Sequence, residues 1–303
     1  MEATTFDHLR AIERPKDDRD LLLGSVQAPV AIPASFLPDN SWLQRNFQGQ
    51  TAFCGEHAGS HFKAILDYYA TNSPTRKSPR YGAIKLKSPS SPVCDGFPID
   101  AGTDMRSIFK WLQKVGAADY EPLENNVLLS STDYVNPAVI TPAMDANAAT
   151  SKIGPYAFGN TDFESLCQYI FKNKAALLLV KCDDGFWGTK ATTFTTPKYG
   201  HYVVADGYDK NAGYIRAIDS ADPNPAFWIK TIAKQYITPQ FIRESGTAVD
   251  AAVVQQAVQQ VVNQASVIVT QINNAPDMSH PQKLSLLQEL AAGLKLIEGF
   301  FQN

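Results

Sequence analysis

With 44% apolar and 19% charged residues and a net charge of −3 over 303 residues, the chain has an ordinary globular composition. The even charge excludes a dedicated nucleic-acid binder, which would carry a basic excess. No apolar run reaches the ~18–20 residues of a membrane span, and no membrane partner is expected.

Residues 1–20, MEATTFDHLRAIERPKDDRD, are polar and of mixed charge, unlike a secretory signal. The four cysteines, Cys54, Cys94, Cys167 and Cys182, form no CxxC, so free thiols and a reducing compartment are expected. Prolines 29, 33 and 38 in Ala28–Pro38 rule out a helix and predict an extended strap over the domain surface. Residues 1–32 read as an N-terminal extension, and 33–246 as the main domain.

The stretch Asn46–Tyr69 begins with Gln48, six residues before Cys54, and Cys54 opens a helical pattern. Ala58, Phe62, Ile65, Leu66 and Tyr69 form one apolar stripe, and Asn72-Ser73-Pro74 is a stop. A thiol in the first turn sits where free N–H groups and the helix dipole favour the thiolate. Gln48 can aim an amide N–H at the same point and complete an oxyanion hole with the Cys54 N–H.

Thr75–Pro92 carries Arg76, Lys77, Arg80, Lys85 and Lys87 without an acid. It reads as a solvated loop in preference to an anion-binding patch, because no aromatic platform accompanies the charge. Gly102–Gly116 predicts a second helix, with Met105, Ile108, Phe109 and Leu112 on one face. Residues 117–160 read as irregular. Thr161 and Glu164 match a capping box ahead of a helix to about Lys172.

Beyond this point the period changes. Ala175–Val180, Tyr202–Tyr208, Tyr214–Asp219 and Ala226–Lys230 read as strands, with Asp209–Gly213 as a hairpin turn. Helices first and strands second predict an α+β fold. In 247–303 the composition shifts to Val, Ala and Gln. Ala251, Val254, Val258, Val261, Ala265, Ile268 and Ile272 make a heptad seam. Leu287, Leu290, Leu294, Ile297 and Phe301 make a matching stripe, so a C-terminal helical hairpin is expected. It either packs on the main domain or serves self-association or partner docking.

His201 heads an apolar strand, and Asp219 closes the next one 18 residues later. Adjacent antiparallel strands bring the two side by side, so Asp219 can orient the imidazole and His201 can pair with Cys54. His57 and His61 stand at i, i+4 without a third ligand, and Asp183, Asp184, Asp206 and Asp209 fit no EF-hand loop. No metal and no cofactor are expected.

These residues together resemble papain-like cysteine peptidases, over about Pro33 to Lys230. NFQGQTAFCG resembles the segment from oxyanion-hole glutamine to nucleophile, GTDMRSIFKWLQKVGAADYEP a helix and turn of bacterial members, and GHYVVADGYDKNAGYIRAIDS the histidine and third-residue strands. The 147 positions from Cys54 to His201 match the family's separation. The resemblance implies a two-lobed fold, a helical lobe beside an antiparallel β lobe. It also implies that Cys54 is nucleophile, His201 base, Asp219 orienting residue and Gln48 oxyanion donor. Asp95, Gly96 and Gly200 would be substrate-binding backbone.

The chain departs from the pattern at Thr51 and Gly55, where the family has a cysteine and an aromatic, and at Ser220-Ala221, where a tryptophan is usual. Asp219 stands where the family usually has asparagine, and aspartate in that third place is more typical of relatives such as the bacteriocin-processing peptidases. No segment resembles the long inhibitory propeptide. The expected activity is hydrolysis of a peptide or protein substrate in an intracellular, cytoplasmic or virion- or phage-associated setting. The alternatives are a non-catalytic protein keeping the fold, or a thiol hydrolase of isopeptide or peptidoglycan bonds.

Overall fold

The computed structural model describes residues 10–302 except 16, 18–19, 24–26, 121–128, 188–190 and 193, with backbone alone at 191–192 and 292–302. Its first long element is α1, Cys54–Thr71, which Asn72 ends in a left-handed turn (φ 55°). Cys54 through Ile65 are buried, because both faces of this helix are covered. It packs on α2, Pro79–Lys87, and α3, Met105–Lys110, and on the sheet behind.

The basic stretch is therefore not a solvated loop. Ser78 caps α2 by accepting from the Tyr81 N–H, and Pro79 fills the first turn, a start signal that the run of cations masks. Each cation is bound within the protein. Arg76 donates to Asn46 Oδ1 and lies over Tyr120, and Lys77 pairs with Asp67 and Asp119. Arg80 donates to the Tyr134 and Asp133 carbonyls, Lys85 pairs with Asp145, and Lys87 with Asp95.

α3 starts three residues later than its pattern predicts, at Met105, with Asp104 as cap. It widens into a π-helical turn, Trp111–Val115, and stops at Gly116 (φ 92°). A Cβ at Gly116 would meet the Ala148 carbonyl oxygen at 1.9 Å. The region expected to be irregular contains α4, Ser131–Tyr134, and α5, Pro142–Thr150. Their polar caps and short runs hide them from periodicity. The next helix, α6, Phe163–Asn173, is capped by Asp162, whose carboxylate accepts from Ser165 N–H, and not by Thr161.

Among the described residues the strands are β1 Ser35–Phe36, β2 Tyr156–Gly159, β3 Ala176–Cys182, β4 Ala191–Thr192, β5 Tyr199–Asp209, β6 Tyr214–Ile218, β7 Ile229–Ala233 and β8 Ile242–Ala248. They form one sheet in the order β2-β8-β3-β5-β6-β7-β4, with β1 on the end of β5. All pairs are antiparallel except β4–β7. β8, which runs Ile-Arg-Glu-Ser-Gly-Thr-Ala, carries no alternation strong enough to predict it. The Pro-rich piece straps the surface as predicted. Val30 bonds Gln168 of α6, and Arg216 of β6 donates to the Pro38 carbonyl.

β5 is buried from Gly200 to Tyr208 because α1 covers one face, so it reads as a continuous apolar run. This contact sets the Cys54 end of α1 against the His201 end of β5. Beyond β8, α7, Ala251–Asn274, and α8, His280–Gln302, pack on each other. Val254, Ala265 and Ile272 of the predicted seam are buried, whereas Val261 and Ile268 are exposed. Leu294, Ile297 and Phe301 lie outside the described side chains.

Candidate active site

Cys54 is the first residue of α1, and no side chain caps the helix ahead of it. Its thiol is 1% exposed, and burial pushes it up to about 12. The backbone N–H groups of Tyr202 and Gly55 act on the sulfur in the opposite sense. Tyr202 follows His201 in β5, so the sulfur lies against the histidine strand. A Cβ on Gly55 would come within 2.7 Å of Thr103 Cγ2 and 2.8 Å of Ile108 Cδ1. That is the physical reason for glycine where the papain-like pattern carries an aromatic.

His201 is fully buried and bonds Asp219 Oδ1 through Nε2 at 2.8 Å. Its Nδ1 has no hydrogen-bond partner among the described residues. Trp187 and Phe186 flank the ring at 5.4 and 6.1 Å between centroids. Asp219 Oδ1 also accepts from the Ala221 N–H at 2.8 Å. Burial pushes the Asp219 carboxyl up, but the bond and charge of His201, then Lys230, hold it at about 2. The carboxylate is thus ionised and holds the imidazole with Nδ1 turned away from it.

Gln48 is buried, its backbone N–H on the Ser220 carbonyl at 3.0 Å. Its Oε1 accepts from Ser220 Oγ at 2.8 Å and its Nε2 donates to the Thr51 carbonyl at 2.9 Å. One amide hydrogen is left over. Ser220 carries no motif of its own in the sequence, and its place beside Asp219 is the one signal that could have found it.

His57 and His61 hold this loop. The Asn46 N–H donates to His61 Nε2 at 3.0 Å, and His57 Nδ1 bonds the Asn46 carbonyl at 3.2 Å. An N–H can only donate, so His61 carries its proton on Nδ1. Burial drives both histidines down to about 3, so both are neutral. Among the described residues no cluster of three His, Cys, Asp or Glu could hold a metal ion. Asp183, Asp184, Asp206 and Asp209 are engaged instead by Thr195 and Thr196, Lys198, Arg216 and the Ala212 N–H.

Asp95 faces inward. It pairs with Lys87 at 2.8 Å and accepts from Thr103 Oγ1 at 2.8 Å. Gly96 (φ 73°) is open, and a Cβ there would have nothing within 4 Å. Gly200 directly precedes His201, and a Cβ there would meet the Ala11 carbonyl oxygen at 2.6 Å.

Ala11 belongs to a segment that reads, in sequence, as nothing more than polar N-terminus. Arg10 bridges to Gly200 and Ile12 to Asp104. Ala11 N–H donates to the Gly200 carbonyl and Ile12 N–H to the Thr103 carbonyl, both at 3.1 Å. Tyr202 Oη donates to the Ile12 carbonyl at 2.9 Å. Residues 10–12 therefore cross from the His201 strand to the start of α3, bonding Gly200, Tyr202 and Thr103, and Tyr202 in turn faces the Cys54 sulfur. Arg14 anchors the segment. It pairs with Asp20, lies 3.8 Å over the Phe158 ring, and donates its backbone N–H to Glu244 Oε1 at 2.7 Å.

No protein-family model and no curated protein matches the chain. Solved structures do. Xylellain, a cysteine protease from Xylella fastidiosa, aligns with TM-score 0.62 at 15% identity, over 82% of this chain and 98% of that one. The cysteine protease and lectin-like domains of Cwp84, a surface layer associated protein of Clostridium difficile, align at 0.54 and 11%, over 72% and 52%. Digestive procathepsin L 3 of Tenebrio molitor larval midgut aligns at 0.53 and 14%, over 74% and 72%. The chain has the α+β, two-lobed papain-like fold.

Proposed function

We propose that the chain is a thiol hydrolase of the papain-like kind, most simply an endopeptidase, with Cys54 as nucleophile. The observation that carries this reading is the ionised Asp219 holding His201 by Nε2, with Nδ1 unbonded among the described residues, on a strand whose next N–H acts on the Cys54 sulfur. His201 Nδ1 takes the thiol proton as sulfur attacks the substrate carbonyl carbon. The oxyanion receives the Cys54 N–H and the spare hydrogen of Gln48 Nε2. His201 then gives its proton to the leaving amine as the C–N bond breaks. Water, deprotonated by His201, releases the acyl group from sulfur. The segment 10–12 must lift before a substrate can enter.

The test is labelling of the full chain and of Cys54→Ala with a peptide-like epoxide, alongside hydrolysis of a peptide library. Wild type is expected to label and cleave, and the variant to do neither. Equal labelling of both, or cleavage surviving in the variant, would sink the assignment.

A further inference from the structure

Lys230, the second residue of β7, is fully buried. A lysine is almost never fully buried unless its charge is paired. Its ammonium donates to Asp222 Oδ2 at 2.7 Å and to the Phe186 carbonyl at 2.6 Å, and lies 3.2 Å from Asp219 Oδ2 as an ion pair without a hydrogen bond. It also stands 4.5 Å from the Phe186 ring centre and 5.0 Å from that of Trp187, the two rings that flank His201. Asp219 therefore divides its oxygens, Oδ1 to the imidazole and Oδ2 to the ammonium.

We infer that Lys230 is a positioning residue of the candidate site, acting through Asp219. It balances the carboxylate, so that His201 is oriented by an anion without being held in its protonated form. This inference rests on the thiol-hydrolase reading above. An imidazole that must pass a proton on to the leaving amine would be slowed by an unbalanced carboxylate, which stabilises the imidazolium. With the ammonium 3.2 Å away and shared with Asp222 at 2.7 Å, Asp219 orients the imidazole while the charge it turns on the ring is reduced, not cancelled. The Asp-Lys pair thereby stands in for the asparagine usual at this place. The other charged or titratable groups facing the pair are Asp222, Arg45 ahead of α1, Cys54 and His61 on α1, and Cys182 on β3, while His57 faces His201. Of these only Asp222 touches the ammonium.

The experiment measures the rate of Cys54 alkylation by iodoacetate against pH, read by peptide mass spectrometry on the full chain. The anionic reagent reacts fastest while an imidazolium faces it, so the alkaline limb reports loss of that proton. Lys230→Met should move the limb up by about one pH unit and Asp219→Asn should move it down by a similar amount. The double variant, which removes one charge of each sign, should return it to the wild-type position. Opening of the covering segment scales each rate and leaves these differences intact. If Lys230→Met does not fold, the comparison of the double variant with Asp219→Asn decides, since the two differ only at Lys230 and the limb should lie higher in the double variant. Limbs that stay at the wild-type position in the folded variants would overturn the inference, even with lower rates. A wild-type Cys54 that stays unlabelled, or follows the pH dependence of an isolated thiol, would overturn the thiol-hydrolase reading instead.

Discussion

Replacing Arg14 by alanine should uncover Cys54 without unfolding the protein. The side chain pairs with Asp20 and stacks 3.8 Å over Phe158, with a looser contact of 3.8 Å to Glu244 Oε2. Asp20 keeps a partner in the variant, because Arg106 holds it at 2.8 Å. The backbone bond from residue 14 to Glu244 is also kept. The loss is then a part-buried ion pair, about 1 kcal/mol, and a cation–π contact, about 0.5–1 kcal/mol. Their sum, about 1.5–2 kcal/mol, multiplies the lifted fraction of segment 10–14 roughly 10–30-fold if the anchor forms only in the closed state.

The other cysteines supply the controls. Cys94 is exposed, whereas Cys167 is buried in the core and reacts only when the whole domain opens. Alkylation by iodoacetamide at fixed pH, followed peptide by peptide, should show Cys54 faster by that factor and both controls unchanged. An unchanged Cys54 rate, or a rise matched at Cys167, would refute the view that residues 10–12 cover the thiol.

The pH dependence of stability should be flat between about pH 4.5 and 6.5 and fall steeply below. Burial raises Glu56 and Glu244 from 4.5 to about 7, so the folded chain retains two protons that the unfolded chain loses, and lowers His57 and His61 from 6.5 to about 3, so it refuses two that the unfolded chain binds. The two effects cancel in that window. Below it the two histidines contribute a fall of about 2.7 kcal/mol per pH unit, and Asp219, held at about 2 instead of 3.8, adds to the fall below about pH 4; an acid limb in urea melts with no excess over a His57→Gln/His61→Gln variant would contradict the histidine share. Gly82→Ala should destabilise by about 1–2 kcal/mol in urea melts, because its Cβ would lie 2.5 Å from the fully buried Trp111 ring, and the ~1 kcal/mol gain in helix propensity is smaller than the clash. A more stable variant would show that the indole can yield.

The residues at the ends of elements are readable because chemistry and local pattern coincide there. Cys54 opens an apolar stripe, and His201 and Asp219 bound strands whose hairpin fixes their register. The covering segment is not readable, since it is held by backbone bonds from Ala11 and Ile12 that many sequences could make. Lys230 is also hidden. A lysine that closes the expected strand Ala226–Lys230 reads as a solvated end, and only the distant Asp219, Asp222 and Phe186 carbonyl make its burial tolerable. Helix α2 escapes the sequence for a related reason. Its cations look like a solvated face until Tyr134, Asp145 and Asp95 arrive from other segments to bind them.

The thiol itself shows which of two opposed effects wins. A place in the first turn of a helix favours the thiolate by about 0.3–1 kcal/mol, and up to ~2 in partly buried geometries. Burial moves Cys54 from 9.0 to about 12, which corresponds to about 4 kcal/mol against the charged form. Burial outweighs the helix end, so beneath residues 10–12 the sulfur is a neutral thiol whatever the helix contributes. Lifting the segment readmits water and removes part of the desolvation penalty, while the helix end, the Tyr202 and Gly55 N–H groups and the imidazole stay in place. The cover therefore acts on reactivity twice, by blocking access and by keeping the Cys54 thiol protonated. Arg14→Ala should accordingly lower the apparent pH midpoint of Cys54 alkylation as well as raise its rate, an effect that a purely steric cover would not produce.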